Sequence, residues 1–178
     1  MRTVNLEEAM GLIREVPDFP KTGIMFQDIT PLLSNAEAFH VVITHMSFVA
    51  SQFKHVAGME ARGFIFASAI ASQCNQGFIP IRKSGKLPSD THSENYGLEY
   101  GEDTLEIHQD ACGPGDTVVI VDDVLATGGT ACAAIRLIEK TGAKITHLVF
   151  LLEILSLEGR KRILQEFPRV KIESVKII

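Results

Sequence analysis

Four consecutive β-branched apolar residues, Val118, Val119, Ile120 and Val121, run without polar alternation and lead straight into two carboxylates, Asp122 and Asp123. A strand that reads this way is buried on both faces, the condition of a strand inside a parallel sheet flanked by helices. In open sheets of that kind ligands bind beyond the carboxyl ends of the strands. Asp122 and Asp123 are therefore expected where a ligand is met.

Ala126-Thr127-Gly128-Gly129-Thr130 follows, and Ala131, Ala134, Ile135 and Ile138 continue at helical spacing. Small residues let the backbone approach a ligand, a helix start offers free N–H groups, and the Thr hydroxyls add donors, which together make a phosphate cradle. The stretch lacks the Lys of a P-loop and does not match G-x-G-x-x-G. Carboxylates would repel a phosphate but suit hydroxyls, so a ribose 5-phosphate satisfies both halves. A structural strand and helix cap is the plainer alternative. A magnesium site on a nucleotide hydrolase is another, without the Lys motif that would accompany it.

The length of 178 residues suits one domain, and 46% hydrophobic with 22% charged residues is ordinary for a globular chain. A formal charge of −5 argues against a broad surface for polyanions such as nucleic acid, so any phosphate site must be local. Cys74, Cys112 and Cys132 are odd in number and follow no C-x-x-C pattern, which fits a reducing compartment. The start lacks the apolar region of a signal peptide and no run approaches a membrane span, so a cytoplasmic protein is expected, with no membrane association.

The signature from Val118 to Thr130 closely resembles the phosphoribosyl pyrophosphate motif of the type I phosphoribosyltransferases. The substrate base has to come from elsewhere in the chain. Leu6, Ala9, Met10, Ile13 and Val16 predict a helix over 5–16, capped by Asn5 with Glu8. Pro17 to Pro31 is then irregular yet carries Phe19, Ile24, Met25 and Phe26. Such a loop either packs down on the domain or forms a hood over a flat apolar ligand. Phe19 to Pro31 is similar to the F-P-x-P-G-x-x-F-R-D-I-T-P segment of adenine phosphoribosyltransferases, departing at Thr22 and at Gln27, where the family has Pro and Arg. That resemblance implies that Phe26 stacks on adenine and that main-chain groups of Met25 and Gln27 meet its edge.

Ser34 and Glu37 read as a capping box for a long helix whose apolar stripe runs from Phe39 to Phe53. Val56 to Met59 predicts a strand, Glu60-Ala61-Arg62-Gly63 a turn, and Phe64 to Ala71 a helix, so a second anion site at Arg62 is expected. Phe78 to Ile81 predicts the next strand, with Arg82 and Lys83 at its carboxyl end. From Lys83 to Asp103 there is no apolar period, and a connection of this length is expected to be a functional loop, read as a flexible lid over residues 83–103. Glu99 within it is either a solvated loop residue or a proton-transfer group. Thr104 to His108 alternates as a strand, Ile145 to Leu152 predicts another, Ser156 to Glu166 a helix and Val170 to Ile177 a terminal strand. Ile154 stands at the end of its strand with either a packing or a ligand-facing role.

The resemblance to adenine phosphoribosyltransferases covers nearly the entire chain and implies a set of roles. Glu60 to Phe64 match the family's pyrophosphate loop, which assigns Arg62 to pyrophosphate. The segment from Arg82 to Pro88 and the later Tyr96 to Gly101 resemble its catalytic loop, where the positive charge of Arg82, Lys83 and Lys86 suits the departing pyrophosphate. Glu99 becomes the catalytic proton-transfer residue and Tyr100 its neighbour in the lid. Asp122 and Asp123 take the ribose, Ala126, Thr127, Gly128, Gly129 and Thr130 the 5-phosphate, and Met25, Phe26, Gln27 and Ile154 the adenine. The expected fold is α/β, a central mostly parallel sheet flanked by helices, in a single domain with an N-terminal hood over residues 1–33. The expected activity is a purine-salvage glycosyltransferase making AMP and pyrophosphate from adenine and phosphoribosyl pyrophosphate. Mg²⁺ would be carried by the phosphoribosyl pyrophosphate with no direct protein ligand, and the family implies a homodimer. Rival expectations are a transferase for another purine, and a regulator that senses phosphoribosyl pyrophosphate.

Overall fold

The computed structural model describes the backbone of residues 4–98 and 101–178, and side chains over that span except at 97, 98, 101 and 102. The chain divides into two compact units, Met1–Phe48 and Val49–Ile178. The expected hood boundary at residue 33 thus falls inside the first unit.

In the first unit, α1 (Leu6–Met10) opens on a reciprocal cap, the Asn5 side chain accepting from the Glu8 N–H at 2.9 Å and Glu8 from the Asn5 N–H at 3.0 Å. The helix is shorter than the spacing predicts. It stops at Gly11, and β1 (Arg14–Val16) pairs antiparallel with β2 (Phe26–Asp28), Val16 opposite Phe26. Pairing with a segment ten residues away overrides the helical pattern at Val16. The Pro17 to Pro31 stretch is therefore a short ribbon running into α2 (Thr30–Ser34). The long helix α3 (Ala36–Ala50) is capped by Asn35, which accepts from the Ala38 N–H at 3.1 Å, while the Ser34 hydroxyl donates to the Pro31 carbonyl. The expected cap at Ser34 is displaced by one residue. Val42, Ile43 and Met46 of α3 are buried as the stripe requires.

The second unit is built on a seven-stranded sheet of order β5-β6-β4-β3-β7-β8-β9. Its strands are β3 (His55–Met59), β4 (Gly77–Lys83), β5 (Thr91–Leu98), β6 (Gly101–His108), β7 (Thr117–Leu125), β8 (Lys144–Glu153) and β9 (Lys171–Ile177). The run Val118 to Val121 lies in β7, fully buried between β3 and β8, and both pairings are parallel. Each of these side chains contributes roughly 1.5–3 kcal/mol by burial, and this explains why the run carries no polar residue. Helices α4 (Gly63–Gln73), α5 (Gly129–Lys140) and α6 (Gly159–Glu166) connect successive parallel strands. The expected α/β fold with a mostly parallel sheet is the fold observed.

Parallel strands end at one edge. There the turns after β3, β4, β7 and β8 come together, so residues far apart in sequence become neighbours. The region 83–103 is more regular than expected. β5 and β6 pair antiparallel from Thr91 opposite His108 to Leu98 opposite Gly101, and β6 joins β4 through Lys83 opposite Leu105. Among the described residues of this region, only those from Ser84 to Asp90 lie outside the strands.

Candidate active site

At the carboxyl end of β7 the strand continues through both carboxylates to Leu125, so Asp122 and Asp123 lie within it rather than beyond it. Asp123 is 5% exposed and Asp122 half-buried. Asp122 Oδ1 accepts from the Asp123 N–H at 2.9 Å. A Cβ on Gly63, the first residue of α4, would lie 2.5 Å from that same oxygen, so only glycine lets the helix start come this close to the carboxylate. Arg62 Nε lies 2.8 Å from Asp123 Oδ2, a charge pairing, and among the described residues no hydrogen bond is aligned on this buried oxygen. The Glu60–Ala61 peptide that brings Arg62 here is cis.

Burial pushes the Asp122 carboxyl well above its ordinary value, and the charge of Asp123 pushes the same way. Burial also raises Asp123, against the pull of Arg62. Two adjacent carboxyls of this kind share protons as a pair and suit hydrogen bonds from a diol.

Ala126, Thr127 and Gly128 form the turn from β7 into α5. Gly128 sits at φ +79°, a left-handed conformation that glycine adopts without strain, and its carbonyl accepts from the Cys132 N–H at 3.0 Å. Asp122, Ala126, Thr127, Gly128 and Thr130 line a recess of about 70 Å³. A water needs roughly 10–15 Å³ by the same measure, so the recess holds a group of a few heavy atoms. Its donors are the N–H groups at the start of α5, a natural anion site. The back of the turn is clamped by Gly159, where a Cβ would meet the Ala126 carbonyl at 2.2 Å, and a Cβ on Gly129 would meet Arg162 Nη1 at 3.2 Å. Sequence reasoning missed Gly159 and Arg162. The only signal was a glycine where α6 begins, a position that helix propensity alone disfavours.

The cations assigned to pyrophosphate gather at the ends of β3 and β4. Arg82 pairs with Glu60 through Nε at 3.2 Å and Nη2 at 3.3 Å, and its Nη1 donates to the Lys86 carbonyl at 3.0 Å. Burial raises the Glu60 carboxyl, but the Lys83 N–H and the Arg82 guanidinium outweigh it and hold it below its ordinary value. Lys83 Nζ lies 2.8 Å from Asp103 Oδ2, and the Lys86 side chain is exposed. Arg62, just before α4, is engaged by Asp123. Glu99 and Tyr100 lie outside the described residues.

Of the residues assigned to adenine, Met25, Phe26 and Gln27 belong to the first unit. Met25 is 50% exposed, while Gln27, opposite Glu15 in the ribbon, is only 8% exposed. Phe26 meets Phe19 edge to face with ring centroids 5.0 Å apart. The ribbon is closed by Arg14 Nη2 on Asp28 Oδ2 at 2.5 Å, and the Thr30 hydroxyl and Arg14 lower the Asp28 carboxyl to about 2. In the second unit, the Ile154 N–H donates to the Leu125 carbonyl at 2.9 Å, which ties the half-buried Ile154 to the end of β7. Its neighbour Glu153, 2% exposed, is held by Arg160 and the Ser174 hydroxyl and serves packing rather than ligand.

Residues 32–175 match the model of the phosphoribosyl transferase domain family. An adenine phosphoribosyltransferase of Symbiobacterium thermophilum is 55% identical over 85% of this chain and 90% of its own. The crystal structure of the adenine phosphoribosyltransferase of Thermoanaerobacter pseudethanolicus superposes with a TM-score of 0.90 at 47% identity, over 98% of this chain and 100% of that one. The Saccharomyces cerevisiae enzyme, crystallised with an imino-altritol bisphosphate and adenine, gives 0.89 at 32% identity over 96% and 97%. With the acidic pair, the phosphate-sized recess and the cation cluster at one sheet edge, these likenesses show that the chain belongs to the phosphoribosyl transferase domain family and, within it, to the adenine phosphoribosyltransferases.

Proposed function

We propose that the chain transfers the 5-phosphoribosyl group of phosphoribosyl pyrophosphate to adenine, giving AMP and pyrophosphate in purine salvage. The observation that carries this reading is the placement of Asp122 and Asp123 directly before a turn whose recess is lined by Ala126 to Gly128 and Thr130. The turn takes the 5-phosphate on helix-start N–H groups, Gly129 included, and the carboxyl pair accepts from the ribose hydroxyls. The similarity to adenine phosphoribosyltransferases, and the adenine crystallised with the yeast enzyme, support the choice of base.

In the reaction the bond from adenine N9 to ribose C1 forms, the bond from C1 to the pyrophosphate oxygen breaks, and the N9 proton leaves. Charge builds on the departing pyrophosphate and positive character on the sugar. Arg82, Lys83, Lys86 and Arg62 stabilise the first, and the Asp122–Asp123 pair faces the second. For the base, the family resemblance assigns Phe26 and Ile154 to its faces and main-chain groups of Met25 and Gln27 to its edge. Glu99 handles the proton, with Tyr100 beside it in sequence, the roles that the family resemblance implies.

Among the described residues no three His, Cys, Asp or Glu side chains converge to cage a metal. Mg²⁺ would be carried by the oxygens of phosphoribosyl pyrophosphate rather than by a protein cage, since that ion commonly keeps an incomplete protein shell. When bound, it neutralises charge on the pyrophosphate. A homodimer acting in the cytoplasm completes the proposal; among the described residues no helix is long and apolar enough to cross a membrane. The test is AMP formation from adenine, phosphoribosyl pyrophosphate and Mg²⁺, with pyrophosphate released in equal amount. A folded sample that binds phosphoribosyl pyrophosphate without turnover would favour a sensor.

A further inference from the structure

Tyr96 is the one aromatic residue of β5, and it is 8% exposed, part of the core cluster of this unit, on a strand that packs against α5. Directly opposite it on β6 stands Asp103, and the Tyr96 hydroxyl donates to Asp103 Oδ2 at 3.1 Å. Asp103 lies two residues from Leu105, the partner of Lys83 on β4, so it shares a face with Lys83 and receives its Nζ at 2.8 Å. The Thr104 N–H, at 3.0 Å, occupies the other carboxylate oxygen. Thr130, the second residue of α5, is part of the wall of the phosphate recess.

Burial and the Asp103 carboxylate raise the phenol above its ordinary value, and the Thr130 hydroxyl, donating to the phenol oxygen, pulls the other way. A continuous chain of polar contacts runs from Tyr96 through Asp103 to Lys83, starting on a strand that packs against α5, whose Thr130 lines the phosphate recess. It links the strand beside the helix that holds the 5-phosphate to a cation on the pyrophosphate side.

We propose that Tyr96 is a positioning residue which, through Asp103, sets Lys83 relative to the phosphate cradle, so that both ends of one bisphosphorylated sugar are met in register. This inference rests on the phosphoribosyl reading. The phenol touches neither reacting atom. Its hydroxyl fixes the carboxylate that fixes the ammonium, while its ring anchors β5 to α5.

The test compares the unsubstituted chain with Tyr96→Phe, Asp103→Asn and the double variant. Phenylalanine keeps the ring, and Asp103 is partly exposed, so asparagine there spares the fold if Tyr96→Phe does not. Calorimetric Kd for phosphoribosyl pyrophosphate with Mg²⁺ and the separate KM values for the two substrates are measured. Loss of one hydrogen bond to a charged group should weaken phosphoribosyl pyrophosphate about tenfold and leave the adenine KM within about twofold. The double variant should be no worse than Asp103→Asn alone. Equal changes in both KM values, unchanged binding, or strictly additive losses would overturn the role of Tyr96. Failure of the unsubstituted chain to bind phosphoribosyl pyrophosphate would instead overturn the phosphoribosyl reading, and this proposal with it.

Discussion

Asp122 carries a conflict between stability and function. Its folded pKa lies above the ordinary 3.8, because burial and Asp123 disfavour its charge. Such a group binds more protons folded than unfolded, so its contribution to stability falls as pH rises from about 4 through the folded pKa. Asp122→Asn should therefore melt higher at neutral pH, by about 2–4 °C for each kcal/mol relieved, and the gain should vanish near pH 4. The same variant should lose about tenfold or more in kcat/KM for phosphoribosyl pyrophosphate, through a lost charged hydrogen bond. Unaltered catalysis in a folded variant would remove Asp122 from the ribose site. At Glu99 the expectation is a split of another kind. Glu99→Gln should lower turnover by about 10²–10⁴ with similar KM values, the range of general acid–base catalysis; intact turnover would make it a lid residue only. The carboxylates were legible because they follow the apolar run in sequence. Gly159 and Tyr96 were not, because Gly159 acts on a turn some thirty positions away and Tyr96 acts through a strand pairing that places Asp103 opposite it.

Among the elements, α6 matters more to the site than its sequence suggests. Its first residue, Gly159, backs the turn at Ala126 so closely that an added methyl would have to move backbone. Gly159→Ala should destabilise the chain by about 1–3 kcal/mol, the usual cost of overpacking, and raise the KM for phosphoribosyl pyrophosphate more than that for adenine. Thermal melts and steady-state kinetics would check it; a variant equal to the parent in both would show that the clamp relaxes freely. The β5–β6 ribbon shows why the region 83–103 reads as a loop. Thr91 to Leu98 is largely polar, and its charged Glu94 is occupied by Arg136 and Lys140 of α5. Edge strands carry such residues, so alternation of apolar and polar side chains fails as a signal there. The end of the predicted helix over 5–16 was lost for a related reason, since Arg14 to Val16 answers to Phe26 to Asp28 and not to its own periodicity.

Over the whole molecule, the sheet was the most legible feature, because a strand buried on both faces leaves an unambiguous apolar run. That strand order then does what sequence cannot show, bringing the turns after β3, β4, β7 and β8 to one edge. The net charge of −5 leaves the cations of the site as local features on an acidic chain, suited to a small anionic substrate. Base choice is the least tested part of the reading, because Gln27 stands where the resembled family has Arg. The most direct measurement is product formation with phosphoribosyl pyrophosphate and Mg²⁺, offering adenine, hypoxanthine, guanine and xanthine separately. AMP formed selectively from adenine is the predicted result; turnover of another base in preference, or of none by a folded sample, would contradict it.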